Sequence, residues 1–221
     1  LSLKALAASL PSSEVAPLTR GQFVFFILEN SLGNAAYSTT DNCFPDLQGT
    51  SQETIQAICF AKENGFIKGY ADGKFYPDRL ITFAEVAKIV VAVYGFHVEV
   101  STPWYKAYVE KFNTFHLTPK SIWALDQPIL LDEAAYIVKI AQGIKDSGGI
   151  TPYIEDSHYF YIKDDGQYFV KIARMGNYYA LKGQVYYREH NAHLDNFILV
   201  PEADFNTFQI IESCDDLYSN D

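Results

Sequence analysis

The sequence predicts an α+β fold: a helical repeat region over residues 1–150 and a small antiparallel β domain over 151–221. Three observations carry this. Helix-start signals followed by apolar residues at helical spacing occur three times in the first part. They recur at intervals of roughly 50 to 60 residues, the signature of a repeat architecture. After Ser147-Gly148-Gly149 the pattern changes to alternating aromatic and polar residues, the period of a strand.

The first unit covers about 1–40. A helix from Leu3 to Leu10 ends at Pro11, and Thr19-Arg20-Gly21-Gln22 is a capping box opening a helix through Val24, Ile27 and Leu28 to Gly33. The second unit, about 41–97, shows the pattern most fully. Thr50-Ser51-Gln52-Glu53 reads as a capping box with Thr50 at the N-cap, and Asn64-Gly65 ends the helix it starts. A loop with a tight turn at Asp72-Gly73 follows. Thr82-Phe83-Ala84-Glu85 then opens a helix that carries Val86, Ile89, Val90 and Val93 on one face and stops at Gly95. The third unit, about 98–146, has a helix from Trp104 to Phe115, loops at Leu117-Thr118-Pro119 and Asp126-Gln127-Pro128, and a helix from Asp132 to Gly143. No single helix can hide its own apolar stripe, so the helices near Arg20, Phe83 and Asp132 are expected to share one core. Val24, Ile27, Val86, Ile89, Val90, Ala134, Ile137 and Val138 should be buried in it.

Beyond residue 152, Tyr159 to Tyr187 alternates as strands do, and Asp165-Gly166 reads as a hairpin turn between two of them. FILVPEADFNTFQII reads as further short strands.

Composition narrows the function. The chain has 221 residues, is 48% hydrophobic, and carries a formal net charge of −10. Such a surface repels phosphate backbones, which argues against nucleic-acid binding. No apolar run reaches the ~18 residues of a membrane span. The 16 Tyr and 16 Phe suit strands, and suit carbohydrate contact as well, because the tyrosine ring is apolar while its hydroxyl bonds outward.

FIKGYADGKFYPDRLITFAE, preceded by CFPDLQ and a helix, resembles the S-layer-homology repeat. Phe44, Asp46, Gly69, Tyr70, Asp72, Gly73, Phe75, Pro77, Ile81, Thr82, Ala84 and Glu85 carry the resemblance. The first unit keeps mainly LTRGQ, and the third keeps WYKAYV and PILLDEAA. The resemblance implies that the repeats form a pseudo-threefold α-helical bundle whose grooves bind secondary cell-wall polysaccharide, often through a pyruvylated sugar. It implies a secreted bacterial envelope protein at the cell surface, its signal peptide removed, with no catalytic activity and no cofactor. The alternative is a scaffold or S-layer-type lattice subunit, bound to other envelope protein subunits through grooves that no longer take glycan. The C-terminal VYYRE and ADFNTFQII resemble a Tyr-rich repeat family with an Asp-Lys-Asn-Tyr-Tyr signature.

The candidate glycan-binding residues are Arg20, Gln22, Gly69, Asp72, Gly73, Phe83 and Glu85. The first turn of a helix leaves backbone N–H groups unpaired, and the dipole favours an anion there. An Arg at the first helical position adds a planar fork for a carboxylate. The three aligned positions are Arg20, Phe83 and Leu131, so one groove keeps the cation. Against this, Arg20 is equally a surface residue paired with Glu14, and Phe83 fills a groove that has lost its ligand rather than stacking on a sugar. Leu130 stands where the other units have Thr19 and Thr82, so the third helix loses its N-cap side chain.

Other constellations lack their context. His190 and His193 are spaced i, i+3 without the glutamate of a zinc-protease helix. Asp164-Asp165 and Asp215-Asp216 lack an EF-hand's alternating ligands, so no metal site is expected. Cys214 has no nucleophile elbow around it, and no paired carboxylates stand in a glycosidase context. In the repeat fold, the start of the second unit returns alongside its helix, which predicts a disulfide between Cys43 and Cys59 in an oxidising compartment. Cys214 is then the odd cysteine. Two separate buried thiols are the alternative.

Overall fold

The computed structural model describes residues 16–32, 42–99, 101–149, 159–162, 166–171, 178–181, 184–187 and 198–199. Five helices lie among them: α1 (Arg20–Leu32), α2 (Gln52–Glu63), α3 (Phe83–Tyr94), α4 (Lys106–Thr114) and α5 (Leu131–Asp146). They are followed by short strands β1 (Tyr159–Ile162), β2 (Tyr168–Lys171), β3 (Tyr178–Leu181), β4 (Gln184–Tyr187) and β5 (Ile198–Leu199). The described residues fall into two units, one drawn from 1–99 and 124–152 and the other from 100–123 and 153–221.

The first unit is built on α1, α3 and α5, which pack against one another, with α2 laid on α1. Every residue expected in a shared core is there: Val24, Ile27, Val86, Ile89, Val90, Ala134, Ile137 and Val138 are all buried. Each helix is amphipathic, so packing three stripes together removes from water what none could hide alone. Tyr94 of α3 donates its hydroxyl to the Val138 carbonyl of α5 at 3.2 Å, inside this core.

The three long helices start from one cyclic hydrogen-bonded ring. Leu18 N–H donates to the Ile129 carbonyl (2.8 Å), Ile129 N–H to Ile81 (3.2 Å), and Ile81 N–H to Leu18 (3.0 Å). Antiparallel bridges Pro17–Leu130, Thr19–Leu80 and Thr82–Pro128 flank this ring. Leu18, Ile81 and Ile129 therefore occupy equivalent places one step before each helix N-cap, and all three are buried. The starts of α1, α3 and α5 thus share one hydrogen-bonding pattern.

Local chemistry sets the helix ends. α3 ends at Gly95 with φ 71°, the left-handed cap that glycine adopts without penalty. α2 is capped by Ser51, whose side chain accepts from Thr54 N–H, so the N-cap lies one residue after the expected Thr50. With Ser51 as cap, Glu53 falls at the second helical position and no Thr50 capping box forms; a hydroxyl at either position could cap, and docking selects one. α5 runs through Gly143 to Asp146, because Ile144 is buried and extends the apolar stripe. The helix expected from Trp104 begins at Lys106. The helix expected from Leu3 to Leu10 lies outside the described residues.

Cys43 and Cys59 form a disulfide, with Cα atoms 5.4 Å apart across a separation of 16 residues. Closing a loop of that length stabilises by about 3 kcal/mol, chiefly by restricting the unfolded chain.

In the second unit α4 packs against β1. Val109, Phe112, Leu117, Ile122, Phe160 and Ile162 form its buried apolar set. The strands run in the order β1-β2-β3-β4-β5, each pair antiparallel. β1 and β2 flank the Asp165-Gly166 position, with Ile162 opposite Tyr168. Asn113 of α4 bonds both backbone groups of Phe160, accepting from its N–H at 2.9 Å and donating to its carbonyl at 2.6 Å. One side-chain amide thus stands in for a neighbouring strand at the edge of β1, where unpaired groups would invite foreign pairing. Helix α4 comes from the segment read as the opening of the third repeat, and it groups with the strands.

Candidate functional site

The loop between α2 and α3 is held in shape by its own backbone. Tyr70 N–H donates to Lys74 carbonyl (2.8 Å) and Gly73 N–H to Tyr70 carbonyl (3.0 Å). Asp72 Oδ1 accepts from Lys74 N–H at 3.1 Å, the turn chemistry expected of an Asp-Gly pair. Asp72 Oδ2 also accepts from the Tyr76 hydroxyl. Asp46 reaches across from the segment ahead of α2, and its carboxylate accepts from Phe75 N–H (3.0 Å) and Tyr76 N–H (2.7 Å). Tyr76 stands at φ 59°, a left-handed conformation that costs a non-glycine residue about 1–2 kcal/mol. Asp46 holds it there.

Gly69 and Gly73 both have positive φ, but for different consequences. A Cβ at Gly69 would lie 2.6 Å from a Phe44 ring carbon and 2.8 Å from the Lys74 carbonyl oxygen, whereas one at Gly73 would meet nothing within 4 Å. Gly73→Ala should therefore cost only the conformational penalty, about 1 kcal/mol. Gly69→Ala should cost roughly 2–4 kcal/mol, because the buried Phe44 ring must also shift. Urea denaturation of the two variants checks this, and equal losses would deny that Gly69 is a packing seat.

The loop delivers Tyr70, Phe75 and Arg79 to the start of α1. There the Arg20 guanidinium lies between two rings, 4.7 Å from the centroid of Tyr70 and 4.7 Å from that of Phe75. Its Nε donates to the Phe75 carbonyl at 3.0 Å, and its Nη1 pairs with Glu85 Oε1 at 2.9 Å. The same Glu85 oxygen accepts from the Tyr70 hydroxyl and pairs with Arg79. Glu85 Oε2 accepts from Thr82 N–H at 3.1 Å, the returning half of the capping box. Arg79 also donates to the Tyr70 hydroxyl and lies over that ring, 4.9 Å from its centroid. Two arginines, a tyrosine and a backbone amide thus converge on one carboxylate.

The electrostatics follow from that convergence. Burial works to raise the Glu85 carboxyl, but the Tyr70 hydroxyl, Arg20, the Thr82 amide and Arg79 outweigh it and hold the group below the ordinary carboxylate range. Burial, reinforced by the bond to Glu85, pushes Tyr70 up to about 12. Burial also lowers Arg20, against the pull of Glu85.

The expected site residues sort clearly. Arg20 and Glu85 are brought together, with Gly69, Asp72 and Gly73 in the loop that faces them. Gln22 is exposed at the start of α1, where its side chain accepts from Thr19 N–H at 2.9 Å. Phe83 is fully buried at 0% exposure, so it presents no ring for a sugar to stack on. Arg20 is not a surface residue: it is 6% exposed and its partner is Glu85, while Glu14 lies outside the described residues. The free helix-start amides expected to receive an anion are not free. Arg20 N–H donates to Arg79 carbonyl (2.8 Å), Gly21 N–H to Pro77 (2.9 Å), Phe83 N–H to Gln127 (2.9 Å), and Ala84 N–H to Leu125 (3.0 Å). The loop ahead of the next helix satisfies each pair at matching offsets. α5 keeps half of a capping box: Glu133 Oε2 accepts from Leu130 N–H at 2.8 Å, although Leu130 has no side-chain acceptor to offer in return.

Asp46, Tyr70 and Phe75 were legible only as motif letters, without roles. Nothing in the sequence marked Arg79. Among the described residues no group of His, Cys, Asp and Glu could hold a metal ion, and no helix is long and apolar enough to cross a membrane. His190, His193, Asp164, Asp165, Cys214, Asp215 and Asp216 lie outside the described residues.

Residues 44–87 match the family model of the S-layer homology domain. The match takes in Asp46, the whole loop and Glu85, and Arg20 reaches into it from outside. A search of curated proteins finds no match. The chain thus carries an S-layer homology domain, a family of generally non-catalytic modules that attach proteins to the cell surface through cell-wall glycans.

Proposed function

We propose, from the premise that residues 44–87 are an S-layer homology domain, that this chain is a secreted envelope protein. It is anchored without covalent linkage to cell-wall polysaccharide, and three such units make up residues 1–150. The observation that carries this reading is the loop from Gly69 to Arg79, ordered by Asp46 and set against the start of α1. Its outward groups suit a sugar: Tyr76 is 39% exposed, and three positions along the chain the Arg79 side chain, paired with Glu85 through Nη2, is still 44% exposed. An aromatic ring packs against a pyranose face, while a guanidinium donates to ring hydroxyls or a carboxylate. The Cys43–Cys59 disulfide supports an extracellular location, since disulfides persist in oxidising surroundings. The residues after 151 form a small β domain in this reading.

A scaffold or lattice role is the second reading, and two observations favour it. The Arg20 fork is already committed to Glu85, and Phe83 fills its own groove. Sedimentation with purified cell walls separates the two. For an anchor, the chain should co-sediment with intact walls and not with walls stripped of their polysaccharide. Arg79→Ala with Tyr76→Ala, two exposed changes, should then weaken retention by about tenfold or more. No retention of the unaltered chain would leave the scaffold reading.

A further inference from the structure

We infer that the Cys43–Cys59 disulfide is a positioning element for the loop from Gly69 to Arg79, so that the redox state of this one bond decides whether that loop is presented against Arg20 and Glu85. The inference rests on the reading of that loop as the binding face.

The path is continuous and short. Cys59 lies in α2, fully buried at 0% exposure. Its disulfide ties down Cys43, which is half-buried. The next residue, Phe44, packs its ring against Phe75 with centroids 5.4 Å apart. It occupies the space a Cβ on Gly69 would need, so the loop backbone sits directly on this ring. Two residues further, Asp46 takes the Phe75 and Tyr76 amides. Phe75 in turn gives its carbonyl and its ring face to Arg20. From the disulfide to the guanidinium, each link is one contact. The Cys43 carbonyl also accepts from Lys62 Nζ at 2.6 Å in an exposed bond, and the same ammonium lies 4.1 Å from the Phe44 ring centroid; both are non-covalent contacts of one flexible side chain.

The loop also has reason to relax once released. Tyr76 stands at φ 59°, and a residue held in that region persists only where surrounding contacts over-determine it. Reduction by a dithiol transfers two electrons and two protons: the S–S bond breaks, Cys43 and Cys59 become thiols, and the dithiol closes to its own disulfide. Segment 43–46 then loses its covalent tether, and with it the fixed placement of Asp46.

Hydrogen exchange in the full chain tests this, comparing the oxidised protein with Cys43→Ala/Cys59→Ala. The Phe75 and Tyr76 amides should exchange about tenfold faster or more in the variant, while amides from Val86 to Val90 keep their protection. Asp46→Asn, with the disulfide intact, should show the same local loosening. Unchanged protection at Phe75 and Tyr76, or an equal loss through α1, α3 and α5, would overturn the inference; the second result would make the bond a general staple. If the cysteine-free chain does not fold, the unaltered chain reduced by a dithiol takes its place, and unchanged protection at Phe75 and Tyr76 there is fatal. Wall sedimentation run in parallel keeps the two readings apart. Faster exchange at the loop in a protein that never bound walls refutes the anchor and leaves the positioning role standing.

Discussion

Glu85→Ala is expected to destabilise the first unit by about 3 kcal/mol, through the loss of one carboxylate that several groups share. Removing it leaves Arg20, whose side chain is 8% exposed, as a buried cation between two rings without its counterion. Breaking a buried pair from one side costs roughly 3–5 kcal/mol. We place the effect at the lower end because Arg79 is substantially exposed and loses little. Glu85→Gln should recover part of the loss, since the amide oxygen can still accept from Thr82 N–H while the charge is gone. The pH dependence has a definite sign. The folded-state carboxyl lies below its ordinary value of 4.5, so its electrostatic contribution is fully present above that pH. The contribution declines as the pH falls through the folded value. Urea midpoints of the unaltered chain and Glu85→Ala should therefore differ most at neutral pH and converge on acidification. A gap that stays constant from pH 7 to pH 3 would mean that the charge contributes nothing and only the helix cap matters.

Phe83→Ala is expected to cost about 3–5 kcal/mol, the range for deleting a fully buried aromatic side chain. Phe83 sits at the first position of α3 at 0% exposure, the place where α1 carries Arg20. Its amide is bonded to the Gln127 carbonyl, so the backbone cannot easily close over the space left. Phe83→Leu should recover most of the loss by refilling the volume. The pairing of stability with wall retention makes this informative. A ring that fills its groove predicts a large fall in denaturation midpoint and unchanged retention in whatever fraction stays folded. A ring that stacks on sugar predicts the reverse, with retention lost at nearly constant stability.

Arg20 and Phe83 also show how the sequence and the structure divide the explanation. Both follow a Thr at the N-cap, and both precede a Gln or Glu that reaches back to that cap. The helices, their N-terminal limits at α1 and α3, the glycine end of α3, the loop turn at Asp72-Gly73 and the shared apolar core were legible because they depend on signals within a few residues of each other. The cystine was legible once the repeat was seen. Ser51 in place of Thr50, and the passage of α5 through Gly143, were not, because neighbouring hydroxyls compete for one cap and a buried stripe outweighs the weak helix propensity of glycine.

Among the described residues the sequence by itself determined which segments are helical and which residues of α1, α3 and α5 face the core, because capping and amphipathic periodicity act over one or two turns. Only the tertiary structure decided that Arg20 is buried, since its partners Phe75 and Glu85 are remote in sequence, the first of them 55 positions along the chain. It also decided that the helix-start amides are occupied, because the carbonyls they meet belong to the loop ahead of the next helix in the ring. The physical reason is common to both. Propensity is a property of a segment, whereas the partner of a buried charge or an orphan amide depends on which surface docks against it, and docking here follows from the packing of α1, α3 and α5 around one core.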